Sequence, residues 1–212
     1  MFRKKILLVD TNRASYTIYQ SLLDCGPEVW VVGGNSWEPL AKICQNFIQI
    51  DYSDPARLDD LIAREGFDFL VPGCTDVSYK VCAEVNRGRF RGIDTMEATR
   101  AINEKAEFRA AAGRLGIPVP RLLDWKQAVS APAVIVKPVD SFSGRGIAIL
   151  RNPTSLDLDA ARTSACAASK TGTALVEEFV EGQLYSHSAF LRGGRVIADF
   201  IVQEDCTTHP FT

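Results

Sequence analysis

The sequence predicts an α/β unit on a parallel sheet followed by an α+β unit with antiparallel pairing. Two observations carry this reading. In the first ninety or so residues, short apolar runs alternate four times with helical patterns, the signature of a parallel sheet with helices on both faces. From residue 134 onward, apolar runs flank glycine-containing turns instead. Composition agrees: of 212 residues, 46% are hydrophobic and 24% charged, which excludes disordered, collagenous and low-complexity chains.

The elements follow in order. Residues 6–9 (ILLV) form a buried strand. Ser15, Ile18, Tyr19, Leu22 and Leu23 recur at helical spacing and stop at Gly26-Pro27. Residues 29–32 and 47–50 are the second and third strands. Asp54 caps a helix with Pro55 in its first turn, Leu58, Leu61 and Ile62 on one face, and Gly66 at its end. Residues 67–71 are the fourth strand, and Val77, Val81, Cys82 and Val85 mark the next helix. This is a Rossmann-like unit. Residues 87–92 (RGRFRG) read as a solvated connection and a domain boundary. A helical segment follows from Thr95, with Phe108, Ala111, Ala112 and Leu115 on one face; Gly116, Pro118 and Pro120 prevent its continuation. Residues 134–136, 147–150 and 174–180 are strands, residues 156–169 a helix. Residues 186–191 and 196–202 flank Gly193-Gly194 as a hairpin.

Charge and cysteines narrow the function. The formal charge is −2, with no basic run, so neither nucleic acid nor a membrane surface is an expected partner. The apolar run at residues 6–9 is too short for a signal-peptide core, and no stretch approaches the ~18 apolar residues of a membrane span. The six cysteines (Cys25, Cys44, Cys74, Cys82, Cys166, Cys206) never form C-x-x-C and read as free, mostly buried thiols in a reducing cytoplasm. Only His187 and His209 could assist a zinc site, and neither has ligand spacing to a cysteine.

The turn after the first strand, residues 10–15 (DTNRAS), contains no glycine, so the dinucleotide fingerprint is absent and a nicotinamide oxidoreductase is disfavoured. The informative segment is residues 137–146, KPVDSFSGRG. A lysine ends an apolar strand, and a Ser/Gly loop with one arginine follows. Glycines let backbone N–H groups wrap oxyanions, hydroxyls add donors, and Lys137 and Arg145 add positive charge. The loop is flexible enough to close over a triphosphate. Lys105 opens a helix upstream. Residues 175–182 (LVEEFVEG) form an apolar strand that turns acidic at a glycine exit.

This order of motifs resembles the ATP-grasp superfamily over nearly all of the chain. The resemblance is closest to carboxylate–amine ligases and the carbamoyl-phosphate synthase large chain. It implies a Rossmann-like pre-ATP-grasp domain (1–92), an ATP-grasp nucleotide-binding small subdomain (93–180) and the start of the large lobe (181–212). By match, Lys105 and Lys137 contact the ATP phosphates, Ser141, Ser143, Gly144 and Gly146 fold over them, and Arg145 is the catalytic positive charge. The Glu177 side chain and Glu178 carbonyl accept from the exocyclic amine of adenine, the Val180 N–H donates to a ring nitrogen, and Phe179 and Val180 touch the purine. The implied reaction converts a small-molecule carboxylate to an acylphosphate that an amine attacks. Residues 73–76 (GCTD) are expected to line part of the substrate pocket.

Two departures are visible. Leu184 stands where many members hold ribose with a second glutamate, leaving Glu181 or His187 as substitutes. The acids and asparagine that hold Mg²⁺ in the family have no counterpart; Glu84-Val85-Asn86 fits E-x-N only as a string, on a helix of the first domain. Mg²⁺ is therefore expected in a complete enzyme, of which this chain would be the N-terminal part. Alone it is expected to be inactive, and to self-associate or take a complementary C-terminal chain. The alternative is a non-catalytic nucleotide-binding or regulatory module.

Overall fold

The structure is a computed structural model that describes residues 3–141 and 144–205. Ser143, Cys206 and His209 lie outside the described residues. The chain divides into two compact units, Met1–Gly116 and Ile117–Thr212.

The first unit runs β1 (Lys5–Val9), α1 (Ser15–Asp24), β2 (Glu28–Gly33), α2 (Pro39–Ile43), β3 (Asn46–Gln49), α3 (Pro55–Glu65), β4 (Phe69–Pro72), α4 (Asp76–Asn86), α5 (Met96–Asn103) and α6 (Lys105–Arg114). Its sheet has the order β3-β2-β1-β4, all parallel. Alternation along β1 sorts two cores. Leu7 and Val9 pack with Leu58, Leu61 and Ile62 of α3 and with Val81, Cys82 and Val85 of α4. Leu8 packs with Tyr19 of α1 and Leu40 of α2 on the other face. The Asp54 side chain caps α3 through the Ala56 N–H, and Gly66 ends it at φ +67.

Residues 87–92 are exposed, as expected of a solvated connection, except for Phe90, through which the segment is anchored. Phe90 packs against the first core, its N–H donating to Asn86 Oδ1 at 2.7 Å, and the Arg89 guanidinium bridges to Asp59. The apolar ring between the arginines gives the segment something to bury.

The second unit runs β5 (Leu122–Leu123), α7 (Trp125–Val129), β6 (Ala133–Pro138), β7 (Ala148–Arg151), α8 (Ser155–Ala168), β8 (Ala174–Glu178), β9 (Leu184–Arg192) and β10 (Arg195–Glu204). Its main sheet, β5-β8-β6-β7, is antiparallel. Val134, Val136 and Val176 face α7 and α8, burying Ala128, Leu158, Ala161 and Ala165. Residues at odd positions of β6, with their β8 partners, therefore project from the opposite face. β9 and β10 form a separate two-stranded hairpin turned by Gly193 and Gly194 at φ +57 and +73.

The expectation of mostly buried thiols is wrong. Cys82 alone is buried among the described cysteines, while Cys25 and Cys74 are exposed. Cys25 caps the C-terminus of α1, and Cys74 lies in the loop after β4, so both sit where the backbone leaves the core. Among the described residues, no helix is long and apolar enough to cross a membrane.

Candidate functional site

The sheet face of the second unit opposite its helices carries the charged pair. Register places Ile135 opposite Glu177 and Lys137 opposite Leu175, so Lys137 and Glu177 are diagonal neighbours on one face. The Lys137 Nζ donates to Glu177 Oε2 at 2.8 Å. Glu177 is fully buried, and the Lys137 side chain is 22% exposed. Such a buried carboxylate requires a cation and further hydrogen bonds to offset its desolvation.

The neighbouring acid is held differently. Glu178 Oε1 accepts the Arg121 N–H at 2.9 Å, and its own N–H donates to the Arg121 carbonyl at 3.0 Å. The Phe179 N–H donates to the Ala133 carbonyl at 3.1 Å. The ladder has ended by Val180, which is 64% exposed.

The loop after β6 is pinned at both ends. At its start, Asp140 accepts from the Ser169 hydroxyl at 2.7 Å and from the Lys170 and Thr171 N–H groups at 3.0 Å each. The Ser169 hydrogen bond foremost, with the Thr171 and Lys170 bonds, holds the Asp140 carboxyl below the usual carboxylate range. At its end, Gly146 has φ +71, and a Cβ there would lie 2.6 Å from the Ala168 Cβ and 3.0 Å from the Pro138 Cγ. Between them, the Ser141 hydroxyl donates to the Arg145 carbonyl at 3.2 Å, and Gly144 has φ +68. The Arg145 side chain is exposed. Lys105 opens α6 in the first unit, where its carbonyl accepts from Arg109 at 3.1 Å.

The residues expected to replace a ribose-binding glutamate have protein partners. Glu181 pairs with Arg151, and His187 pairs with Asp199 across the hairpin at 2.9 Å. Of the other acids after Gly182, Glu204 accepts from the Ser186 hydroxyl, and Asp205 accepts from Gln183 at 3.2 Å. Among the described residues, no group of three or more His, Cys, Asp or Glu is placed to hold a metal ion.

No family model matches the sequence. The chain is 25% identical over 186 residues to a formate-dependent phosphoribosylglycinamide formyltransferase of Haemophilus ducreyi, covering 84% of this chain and 47% of that protein. The structure superposes on an ADP complex of N5-carboxyaminoimidazole ribonucleotide synthetase with a TM-score of 0.77 and 16% identity, covering 100% of this chain and 56% of that one. The biotin carboxylase domain of Hydrogenobacter thermophilus 2-oxoglutarate carboxylase, solved with MgADP, ADP and bicarbonate, gives 0.64 and 20%, covering 88% and 46%.

The chain has the fold of ATP-grasp proteins. It spans about half the length of the relatives it matches. That fold accounts for a parallel-sheet unit preceding an antiparallel one.

Sequence reasoning reads Asp10 and Ser15 only as parts of a glycine-free turn and a helix start, and passes over Arg151. Asp10 is 2% exposed at φ +120 and accepts from the Asn12 N–H at 2.5 Å. The Ser15 hydroxyl accepts the Cys74 N–H at 3.0 Å, tying the turn after β1 to the loop after β4. Gly73 permits this approach, since a Cβ there would lie 2.6 Å from both Asp10 and Ser15. A tight turn without glycine after a first strand was the available signal. Arg151 lies over the Phe179 ring at 5.7 Å, where only the β6–β7 register could have put it.

Proposed function

We propose that this chain is the ATP-binding part of a ligase that activates a carboxylate as an acylphosphate for attack by an amine. The observation that carries the reading is the Lys137–Glu177 pair on one sheet face, beside a glycine loop pinned at both ends. The superfamily supports the general kind, and the relative's name pairs formate, a carboxylate, with a glycinamide.

ATP supplies the phosphoryl group that makes the carboxylate reactive; amine attack then releases phosphate. Lys137 and Lys105 would neutralise phosphate oxygens, with Arg145 facing the transferring group. The N–H groups of residues 141–146, with the hydroxyls of Ser141 and Ser143, would cradle those oxygens. Glu177 and the Glu178 carbonyl would accept from the adenine amine, the Val180 N–H would donate to the ring, and Phe179 and Val180 would supply apolar contact. Such transfer depends on positioning and charge neutralisation, so no covalent nucleophile is required of the chain. In this reading the Lys137–Glu177 contact holds both groups in place until a phosphate competes for the lysine. Residues 73–76, beside Asp10, would face the remaining substrate.

The test is ADP and phosphate release with Mg²⁺ and a panel of carboxylate–amine pairs, formate included, run beside ATP and NADH titrations. Ligase activity predicts ADP release that needs both a carboxylate and an amine. Saturable ATP binding without release under any pair is the outcome both for the ATP-binding part of a ligase tested alone and for a nucleotide-binding module, and preference for NADH contradicts both.

A further inference from the structure

The C-terminal end of α4 and the segment leading into α5 line an open cavity of about 420 Å³. All its walls come from residues 83–96 of the first unit, so this one stretch sets its form. Arg87 and Gly88, at φ +46 and +81, turn the chain back over the end of α4. The turn is fixed from both sides. The Arg89 guanidinium donates to Asp59 at 2.5 Å, and the Thr95 hydroxyl caps α5 by accepting the Ala98 N–H at 3.2 Å. Half-buried Phe90, Ile93 and Met96 give the cavity an apolar wall. Phe90 and Ile93 also pack against the first core, which holds that wall in place.

Asn86 lines the cavity and is only 6% exposed. Its Oδ1 accepts the Phe90 N–H at 2.7 Å, which fixes the orientation of the amide, since an amide nitrogen could not accept that bond. The Nδ2 is therefore a donor, and among the described residues no acceptor meets it. The rim is acidic. Glu84 and Asp94 are exposed there, and neither carboxylate has an ion pair or hydrogen bond among the described residues. Arg87, also at the rim, has its guanidinium paired with Asp59 at 3.5 Å.

We infer that this cavity binds a small organic cation, an ammonium-bearing molecule with an apolar body and one hydrogen-bond acceptor. The acceptor meets Asn86 Nδ2, the body covers Phe90, Ile93 and Met96, and the ammonium stays at the rim beside Glu84 and Asp94. The volume lies within the roughly 300–1,000 Å³ of small-molecule sites, and an apolar wall with few polar groups is their usual lining. A buried donor left unmet carries a desolvation penalty that an acceptor relieves. A ligand without the acceptor leaves that donor unmet, and an anion meets two like charges, so the cavity selects at both ends. Glu84-Val85-Asn86 is accordingly not a metal-ligand set. With Oδ1 spent on Phe90, Asn86 turns a donor toward the ligand, which a metal ion cannot use. None of the residues assigned to ATP lines this cavity, so its occupation does not require nucleotide.

The experiment titrates tyramine, phenethylamine and 4-hydroxyphenylacetate into the isotope-labelled 212-residue chain, followed by amide NMR. Tyramine carries the acceptor oxygen, the ring and the ammonium. Phenethylamine lacks the oxygen, and 4-hydroxyphenylacetate has a carboxylate in place of the ammonium. Tyramine is expected to saturate with a dissociation constant of about 1 mM or tighter, shifting the amides of residues 83–96 and the Asn86 side-chain NH₂. Each of the other two probes is expected to bind at least about fivefold more weakly. Glu84→Gln combined with Asp94→Asn changes only exposed side chains, and its amide spectrum away from the cavity should match wild type. That variant is expected to lose the preference for tyramine over 4-hydroxyphenylacetate and to keep the preference over phenethylamine. No saturable shift with tyramine up to about 10 mM overturns the inference. So do shifts confined to residues outside 83–96, equal affinity for all three probes, and a rim variant that still prefers tyramine to the anion as wild type does.

Discussion

Lys137 and Glu177 lie forty positions apart in sequence and 2.8 Å apart in space, joined across the β6–β8 pair with the carboxylate fully buried. Neither group is a free-standing surface charge. Lys137→Met would strip a buried acid of its cation, and the expected loss is about 1–3 kcal/mol by urea unfolding. Combining it with Glu177→Gln should recover part of that loss. Strictly additive costs in the two single variants and the double would show that the two groups are uncoupled.

Gly146 should be the least replaceable glycine of the loop. Alanine there must adopt φ +71 and meet Ala168 at 2.6 Å, which adds overpacking to backbone strain. The expected cost is about 2 kcal/mol or more. Gly172→Ala is the control, because Gly172 also has a positive φ but nothing within 4 Å of the added Cβ. It should cost roughly 1 kcal/mol, the backbone part alone. Equal melting temperatures for the two variants would remove the packing part of the explanation.

Asp140 makes a pH prediction. Its carboxyl is held low by Ser169 first and by the Thr171 and Lys170 bonds after it. A depressed folded pKa contributes stability that is present above the unfolded value, about 3.9, and is lost as pH falls through the folded value. Asp140→Asn should therefore lower the melting temperature at pH 7. The gap to wild type should shrink below about pH 4 and close once wild-type Asp140 is itself protonated. A gap that stays constant from pH 7 to pH 2 would assign the effect to lost packing.

The cysteines should separate by exposure. Cys25 and Cys74 are exposed, whereas burial raises the Cys82 thiol to about 12. Brief maleimide treatment of the native protein, followed by peptide mass mapping, should label Cys25 and Cys74 and spare Cys82. Rapid native labelling of Cys82 would show that the first core opens far more readily than its packing implies.

Much of this architecture was legible because its signals are local. Alternation and helical spacing located the four parallel strands and their longer helices. Gly193-Gly194 marked the hairpin, and Lys105 was read as opening a helix, as it does. Short elements were missed. α2 and α7 have five residues each, too few for a helical period to show, although Asp124 and Gln127 form a capping box that a closer reading would have found. β5 is two residues long and exists only because β8 offers it an edge. The site residues were named from motif order. Their pairing was not, because the Lys137–Glu177 and Arg151–Glu181 contacts depend on register between strands far apart in sequence. Cysteine burial was misjudged for a related reason: small apolar residues also serve at caps and loops, and composition does not say which.

Calorimetric titration of ATP into wild type and Lys137→Ala tests the central claim most directly, with Lys126→Ala, on α7, as the control. The account predicts saturable binding to wild type and to the control, and a loss of about 1–3 kcal/mol, or roughly 5- to 150-fold, when the Lys137 ammonium is removed. Equal affinity of wild type and Lys137→Ala for ATP, with both variants folded, would contradict it.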